Sequence, residues 1–273
     1  MKYLNVVDVR IASGIPESLA TDTAIEHAIE IVESLTERAM NTKFYPALNI
    51  EVLDGTGTDR LFLSKNPVLR LEQLKTDENE IDISDVFLYR ESGKVMLGSD
   101  SDVSIFLAKN QSVMSKFRDG FLVSDDSALT ALTSDVSAGT DVSASVADAS
   151  KFAVNDWIDI FGVDGKREAA KITAISGNTL TFDFLGMNHS SGSMIIKLET
   201  PSFVKRFIEL ESVIYVGMNA IGATYTFNAS YSIGDLSVTK GVPYTHWRES
   251  LQQAVKEREQ LRNMIKPRFA IRV

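Results

Sequence analysis

Cysteine is absent from the 273-residue chain, so disulfides, thiolate nucleophiles and cysteine-based zinc sites are excluded at the outset. Histidine is nearly as scarce, with three residues. One of them, His189 in the turn MNHSSGS, has no second histidine or carboxylate at ligand spacing, so neither a metal site nor a cofactor is expected. No apolar run suits a membrane: the densest one is charge-free only from Ser212 to Ala223, about a dozen residues against the roughly 20 of a spanning helix. Cations are outnumbered 28 to 37, and a net charge of −9 argues against a sequence-reading nucleic-acid binder, whose footprint is a basic stripe. It leaves room for a protein that DNA merely passes. The opening MKYLNVVDVRIAS lacks a long apolar stretch and carries Asp8, so no signal peptide is expected and a reducing cytoplasm is the expected place of synthesis.

What is present is a set of helices around a long uninterrupted segment. Pro201 to Gly222 (PSFVKRFIELESVIYVGMNAIG) has a threonine and a proline at its start, a glycine at its end, and all four charges in its first half. The spacing predicts a central helix buried on nearly every side. Thr21 to Met40 is a second helix: Thr23 and Glu26 have capping-box spacing, and Ile25, Ala28, Ile29, Val32, Leu35 and Ala39 follow the helical period. Glu26, Glu30, Glu33 and Glu37 form an adjoining strip. That strip is either a solvated helix face, the weightier reading, or an acidic surface that lines a passage and repels phosphate. A third helix opens at Pro243 and runs to about Lys266, with Trp247, Leu251, Ala254, Val255, Leu261 and Ile265 in one stripe and Pro267 as its stop.

Charge is unevenly placed along the chain. From Tyr244 onward there are seven basic and three acidic residues, a balance of +4 that leaves −13 for everything before it. Arg262 and Lys266 either complement a helix dipole or dock an acidic partner. Arg268 and Arg272 lie past Pro267, in the tail PRFAIRV, where docking onto another chain is the better explanation.

Between the helices the pattern is that of short strands. Ile50 to Leu53 and Arg60 to Leu63 flank the turn DGTGTD, followed by Val68 to Lys75, Val86 to Arg90 and Lys94 to Leu97. The Gly55-x-Gly57 pair lacks the helix and Lys-Ser/Thr ending of a phosphate loop. Residues 99–140 give a weaker signal, with RDG at 118–120 as a turn and a Ser/Asp/Thr/Ala-rich linker composition from Ser124 onward. Residues 141–198 carry about five strand-like runs broken by Asp164-Gly165 and Ser176-Gly177-Asn178, the pattern of a small barrel or sandwich. Trp157 is read as core in preference to a ligand platform. The expected architecture is therefore α+β: a bundle core of three main helices with β-hairpins over 1–98 and 199–273, an extended linker over 99–140, and an inserted small all-β domain over 141–198. For catalysis the best available groups are His246 with Glu249, or Asp156 and Asp159 with Asp183. Neither set has an oriented partner, and no enzyme is expected.

The acidic helix followed by KFYPALNIEVLDGTGTDRLFLSKNPVLRLEQL, the strand pair ending at Glu91 to Leu97, and the closing phrase IGDLSVTKGVPYTHWRESLQQAVKEREQLRNMIKPR together resemble the head–tail adaptor (connector) proteins of long-tailed bacteriophages. The resemblance covers about 21–97 and 199–273, and small members of that family lack the region from Ser99 to Leu198. It implies a mostly helical, non-enzymatic protein made in the host cytoplasm and placed in the virion neck. Such a protein forms a ring, commonly of twelve copies, below the portal protein and presents its lower rim to a stopper or tail-terminator protein. Double-stranded DNA passes through the channel without sequence-specific binding, and no membrane is involved. Carried onto this chain, the portal-docking segment is Arg262, Lys266, Arg268, Phe269, Ile271, Arg272 and Val273, and the channel-lining candidates are Glu26, Glu30, Glu33 and Glu37. The alternative is a tail or baseplate component whose β-domain binds carbohydrate or another tail protein.

Overall fold

The computed structural model describes residues 3–18, 20–40, 42–77, 79–163, 165–225, 232–233, 236–237 and 252–262. The chain divides into two compact units, one of 1–41 with 201–273 and one of 42–200.

The first unit is helical. α1 (Val6–Ser13) is capped at both ends: Asn5 and Asp8 bond each other's backbone N–H reciprocally, and Gly14 closes the helix in the left-handed region. α2 (Asp22–Met40) presents Ile25, Ala28 and Ile29 to Val9 of α1 and to Val213 and Val216 of α3 (Ser202–Tyr225). α4 (252–262) adds Ala254 to Leu210 and Ile214 of α3. Burial of these apolar stripes is what holds the four helices together, and α1, with 8 residues, would be marginal in water on its own. α3 is not covered on all sides as its composition suggests: Tyr215 and Met218 are exposed. A two-residue ladder, β14 (Ser232–Ile233) with β15 (Leu236–Ser237), completes the described part of this unit.

The second unit is all strand apart from short 3-10 turns, and it has two parts. In the first, β1 (Ala47–Leu53), β3 (Val68–Thr76), β4 (Asn79–Ile81) and β7 (Val113–Asp119) make an antiparallel sheet in the order β1-β7-β3-β4. β2 (Arg60–Phe62), β5 (Val86–Tyr89) and β6 (Lys94–Leu97) make a second sheet, β2-β6-β5. Alternation along β7 turns Val113 and Phe117 inward, where they meet Leu71, Leu74, Val86, Val95 and Phe106 in a core shared by both sheets. Gly55 is required here. A Cβ on it would stand 1.7 Å from the Leu107 carbonyl oxygen, because Gly55 N–H donates to Lys109 O and the chain of 106–109 lies against the turn.

In the second part, β8 (Val123–Ala131), β13 (Met194–Glu199), β10 (Trp157–Phe161), β11 (Arg167–Ser176), β12 (Thr179–Leu185) and β9 (Gly139–Ser145) pair in that order. The sheet closes on itself. Leu132 bridges Val146, Thr133 N–H donates to Ser145 O, and Ala147 N–H donates to Ala131 O. Ile158, Ile160, Ala170, Ile172, Leu180, Phe182 and Ile195 fill the six-stranded barrel, as side chains fill small barrels in general. On β10 the alternate residues Trp157 and Asp159 are buried as well, which means that the outer face of the barrel is covered at that point.

Several expectations are corrected. The architecture is mostly β: thirteen strands in three sheets, beside a minor two-stranded ladder, and not a bundle core of three main helices carrying hairpins. The division falls at 41/42 and 200/201, so residues 42–98 belong with the β unit and not with the helices. The segment 99–140 is not a linker. It contains β7, which pairs with β1 and β3, and β8, which belongs to the barrel. The barrel accordingly begins near Val123 instead of at residue 141. The reason is non-locality: β1 pairs with β7 and β8 with β13 across some seventy residues, and polar Ser-Asp-Asp-Ser at the start of β8 occupies its exposed positions.

Candidate functional site

The four glutamates of the acidic strip do not share one environment. Glu26 and Glu30 are exposed, whereas Glu33 and Glu37 are buried. Tyr3 N–H donates to Glu33 Oε1 at 2.9 Å and the Tyr3 hydroxyl donates to Glu37 Oε1 at 2.5 Å. A four-residue channel-lining strip is therefore corrected to a two-residue exposed pair, because the N-terminal segment covers the other half of the helix face. Of the docking residues, Arg262 is exposed on α4, 3.7 Å from Glu259. Lys266, Arg268, Phe269, Ile271, Arg272 and Val273 lie outside the described residues, as do His246 and Glu249. Asp156, Asp159 and Asp183 are not brought together as a catalytic set: they pair with Lys197, with Arg90 and Arg167, and with Arg70 respectively.

Two of those pairings, Asp159 with Arg90 and Asp183 with Arg70, join the two parts of the β unit. Arg70 on β3 is buried and forks onto Asp183 of β12 through two bonds of 2.8 and 2.6 Å. Its Nη2 also donates to Glu72 at 2.7 Å, and its guanidinium stands over the rings of Trp157 and Phe184. Glu72 is bonded in addition by Arg118 at 2.7 Å and Lys116 at 3.2 Å. Burial works to raise the carboxyl pKa values of Glu72 and Asp183, but the Arg70 bonds and charge outweigh it, and both stay below the ordinary range. Trp157 is buried as expected, yet it lies at this junction with Leu69, Ala169 and Leu198 and not in the barrel interior.

Beside this lock is a second cluster that opens to solvent. Asp159, fully buried, accepts from Arg90 Nη1 at 2.9 and 2.8 Å and from Arg167 Nε at 2.6 Å. Two guanidiniums share the one carboxylate of Asp159, with the charge of Glu91 also acting on Arg90, and Arg167 is about half exposed, its guanidinium over Phe161 at 4.4 Å. Burial lowers the Arg90 pKa, with Asp159 acting against that. Arg90, Lys166 and Arg167 form the cationic end of a cavity of about 640 Å³ whose long wall is the consecutive run from Val86 to Ser92.

The same strand bears an exposed aromatic face. Cross-strand register sets Phe62, Lys94 and Tyr89 in one row and Arg60, Met96 and Phe87 in the next, on the side of the sheet away from the core. Phe62, Phe87 and Tyr89 are all exposed, and Lys94 Nζ stands 3.7 Å from the centre of the Tyr89 ring. This arrangement can stack flat or apolar partners and attract anions. Among the described residues no group of three or more histidines and carboxylates is placed to hold a metal.

The sequence contained two of the signals for this site, the alternation of VFLYR and the turn Glu91-Ser-Gly93. It gave no means of seeing that Arg167, seventy-seven positions after Arg90, shares a carboxylate with it. Likewise His189 does meet a carboxylate: its Nε2 is 2.7 Å from Glu168 Oε1, while the same Glu168 accepts from the N–H groups of Gly186 and Met187.

No family model matches the chain, and no curated protein matches it. Among solved structures, the gp54 tailspike of Acinetobacter baumannii bacteriophage AP22, in complex with A. baumannii capsular saccharide, is similar at 26% identity with a TM-score of 0.24. The match covers 29% of this chain and 15% of that one, so the chain spans a small fraction of that protein's length. A TM-score of this size does not establish a common fold.

Proposed function

We propose that the chain is a non-enzymatic structural component of a tailed-phage particle, in which the helical unit serves assembly and the β unit docks the next component. The observation that carries this reading is the site on β5: an aromatic, cation-flanked sheet face continuous with an open cavity, on a frame locked by buried ion pairs. Binding elements held on a rigid scaffold lose little entropy on docking, which is what a particle joint requires. The finer placement is that of a head–tail adaptor: a ring below the portal, its tail from Arg262 to Val273 seated in the portal and its lumen extending the DNA channel. The order of the acidic helix, the first hairpins and the closing helix favours it.

A second reading, a tail or baseplate component whose β unit binds carbohydrate, is favoured by one feature. Phe62, Phe87 and Tyr89 expose three rings on one sheet face, and ring faces stack on the C–H faces of sugars. Antibodies against the chain, applied to intact particles in the electron microscope, test both. Label at the neck, together with a mass increase on mixing the chain with portal rings, supports the adaptor. Label at the tail tip with retention on immobilised host glycans supports the second reading. Particles that carry no label would end both.

A further inference from the structure

The β5 edge adds something the aromatic face alone does not. β5 is the outer strand of its sheet, and among the described residues no strand pairs with its far side. The direction of its backbone groups follows from three hydrogen bonds. Gly98 N–H donates to Asp85 O at 2.7 Å, so that pair is a bonded one, and bonded pairs recur at every second residue of an antiparallel ladder. Leu97 N–H donates to Asp59 O on the opposite side, which agrees with that phase. Phe87 and Tyr89 therefore bond β6, and Val86 and Leu88 turn their groups outward. The Val86 N–H is used by Ile83 O, which leaves the Val86 carbonyl and both groups of Leu88 facing the cavity.

We propose that this edge takes an acidic, extended segment of a partner protein, which pairs with β5 as a fourth strand of the sheet. The inference rests on the docking function proposed above and names the chemistry of the partner. Three features select it. The outward Leu88 N–H and C=O present a donor and an acceptor at ladder spacing, which an extended peptide backbone matches. The side chains of an added strand would lie beside Phe87 and Tyr89 on one face, which gives apolar contacts at every second position. The far wall is formed by Gly165, Lys166 and Arg167, and around the cavity the three cations Arg90, Lys166 and Arg167 outnumber the two carboxylates Asp159 and Glu91, a balance that favours an aspartate or glutamate on the incoming segment. The tail PRFAIRV of a second copy suits this edge less well, since its arginines would face those cations.

The purified full chain is titrated with three fluorescent blocked heptapeptides, in which valine alternates with glutamate, lysine or threonine. A fourth peptide repeats the glutamate sequence with alternate amides N-methylated, so that one edge can no longer donate. The glutamate peptide is expected to bind at least tenfold tighter than the lysine peptide, to weaken as salt rises, and to slow exchange of the Leu88 amide proton. N-methylation is expected to cost at least tenfold. Phe87→Glu, at an exposed position that folding does not need, is expected to weaken the glutamate peptide by a similar factor. Equal affinity for the three peptides overturns the acidic partner, and binding indifferent to N-methylation overturns strand addition. Tight binding of an acidic oligosaccharide with no peptide bound overturns the partner class. These measurements use the isolated chain, so their failure is separable from the absence of label on particles.

Discussion

Replacing Arg70 with leucine tests how the two parts of the β unit are held together. The guanidinium is 2% exposed and serves two carboxylates, Asp183 through a two-bond fork and Glu72 at 2.7 Å. Removing one partner of a buried ion pair costs about 3–5 kcal/mol, because the remaining charge is stranded. Here both stranded groups keep some support. Glu72 retains Arg118 and Lys116, and Asp183, partly exposed, retains the N–H groups of Lys171 and Phe184. The loss therefore belongs near the low end, about 3 kcal/mol, including the packing of the guanidinium over Trp157 and Phe184. Lysine keeps the charge but not the fork, and should recover about half of that. With an m-value of about 2 kcal/mol/M in urea, the leucine variant unfolds about 1.5 M earlier. Trp157 reports the transition directly, in a background where the other tryptophan, Trp247, is phenylalanine. A cycle with Asp183→Leu should return a coupling of about 2 kcal/mol. A shift below about 0.5 M, or a lysine variant equal to wild type, would refute a junction that depends on the Arg70 fork.

Acid should open the same junction. Glu72 and Asp183 have folded pKa values below their unfolded ones of about 4.3 and 3.9, so their stabilisation is complete above about pH 4.5 and is lost as pH falls through the folded values. Asp119 has the opposite sign: burial raises its pKa although Asn49 donates to it, so Asp119→Asn should stabilise at pH 7 and make no difference near pH 3, by urea titration at both pH values. Asp159→Ala strands Arg90 and Arg167 and should cost about 3–5 kcal/mol in the same assay. In the helical unit, Tyr3→Phe removes the bond to Glu37 and should cost about 1–2 kcal/mol by thermal melting, whereas Glu26→Lys with Glu30→Lys, both exposed, should leave the melting temperature unchanged while slowing DNA ejection if they face a channel. Deleting residues 268–273 should leave a folded chain that no longer joins the portal, read by co-sedimentation.

Local signals carried the sequence a fair distance. Capping residues and period marked α2 and α3, and short apolar alternations with Gly and Asn turns marked β5, β6, β10, β11, β12 and β13 close to where they lie. The excess of cations after Tyr244 was likewise a property of composition. Pairing was another matter. The region of β7 gives only a weak signal, with RDG at 118–120 as a turn, but Phe117, Arg118 and Asp119 continue a ladder that β1 and β3 complete from either side. β8 looks like linker because only alternate residues near its end, Ala128 and Thr130, are buried. The acidic strip looked uniform because helical spacing fixes which residues share a face and not what covers that face.

The amino-acid sequence on its own therefore determined where helices and most strands form, since caps, turns and apolar period act within about ten residues. It also settled the lack of thiol chemistry and the basic end of the chain. Tertiary structure alone decided that the strands close into a barrel, that Arg90 and Arg167 converge on Asp159, and that among the described residues no strand pairs with the far edge of β5. Each of these joins residues tens of positions apart, where the chain's conformational freedom erases local preference and only mutual burial of apolar and charged surface fixes the partner.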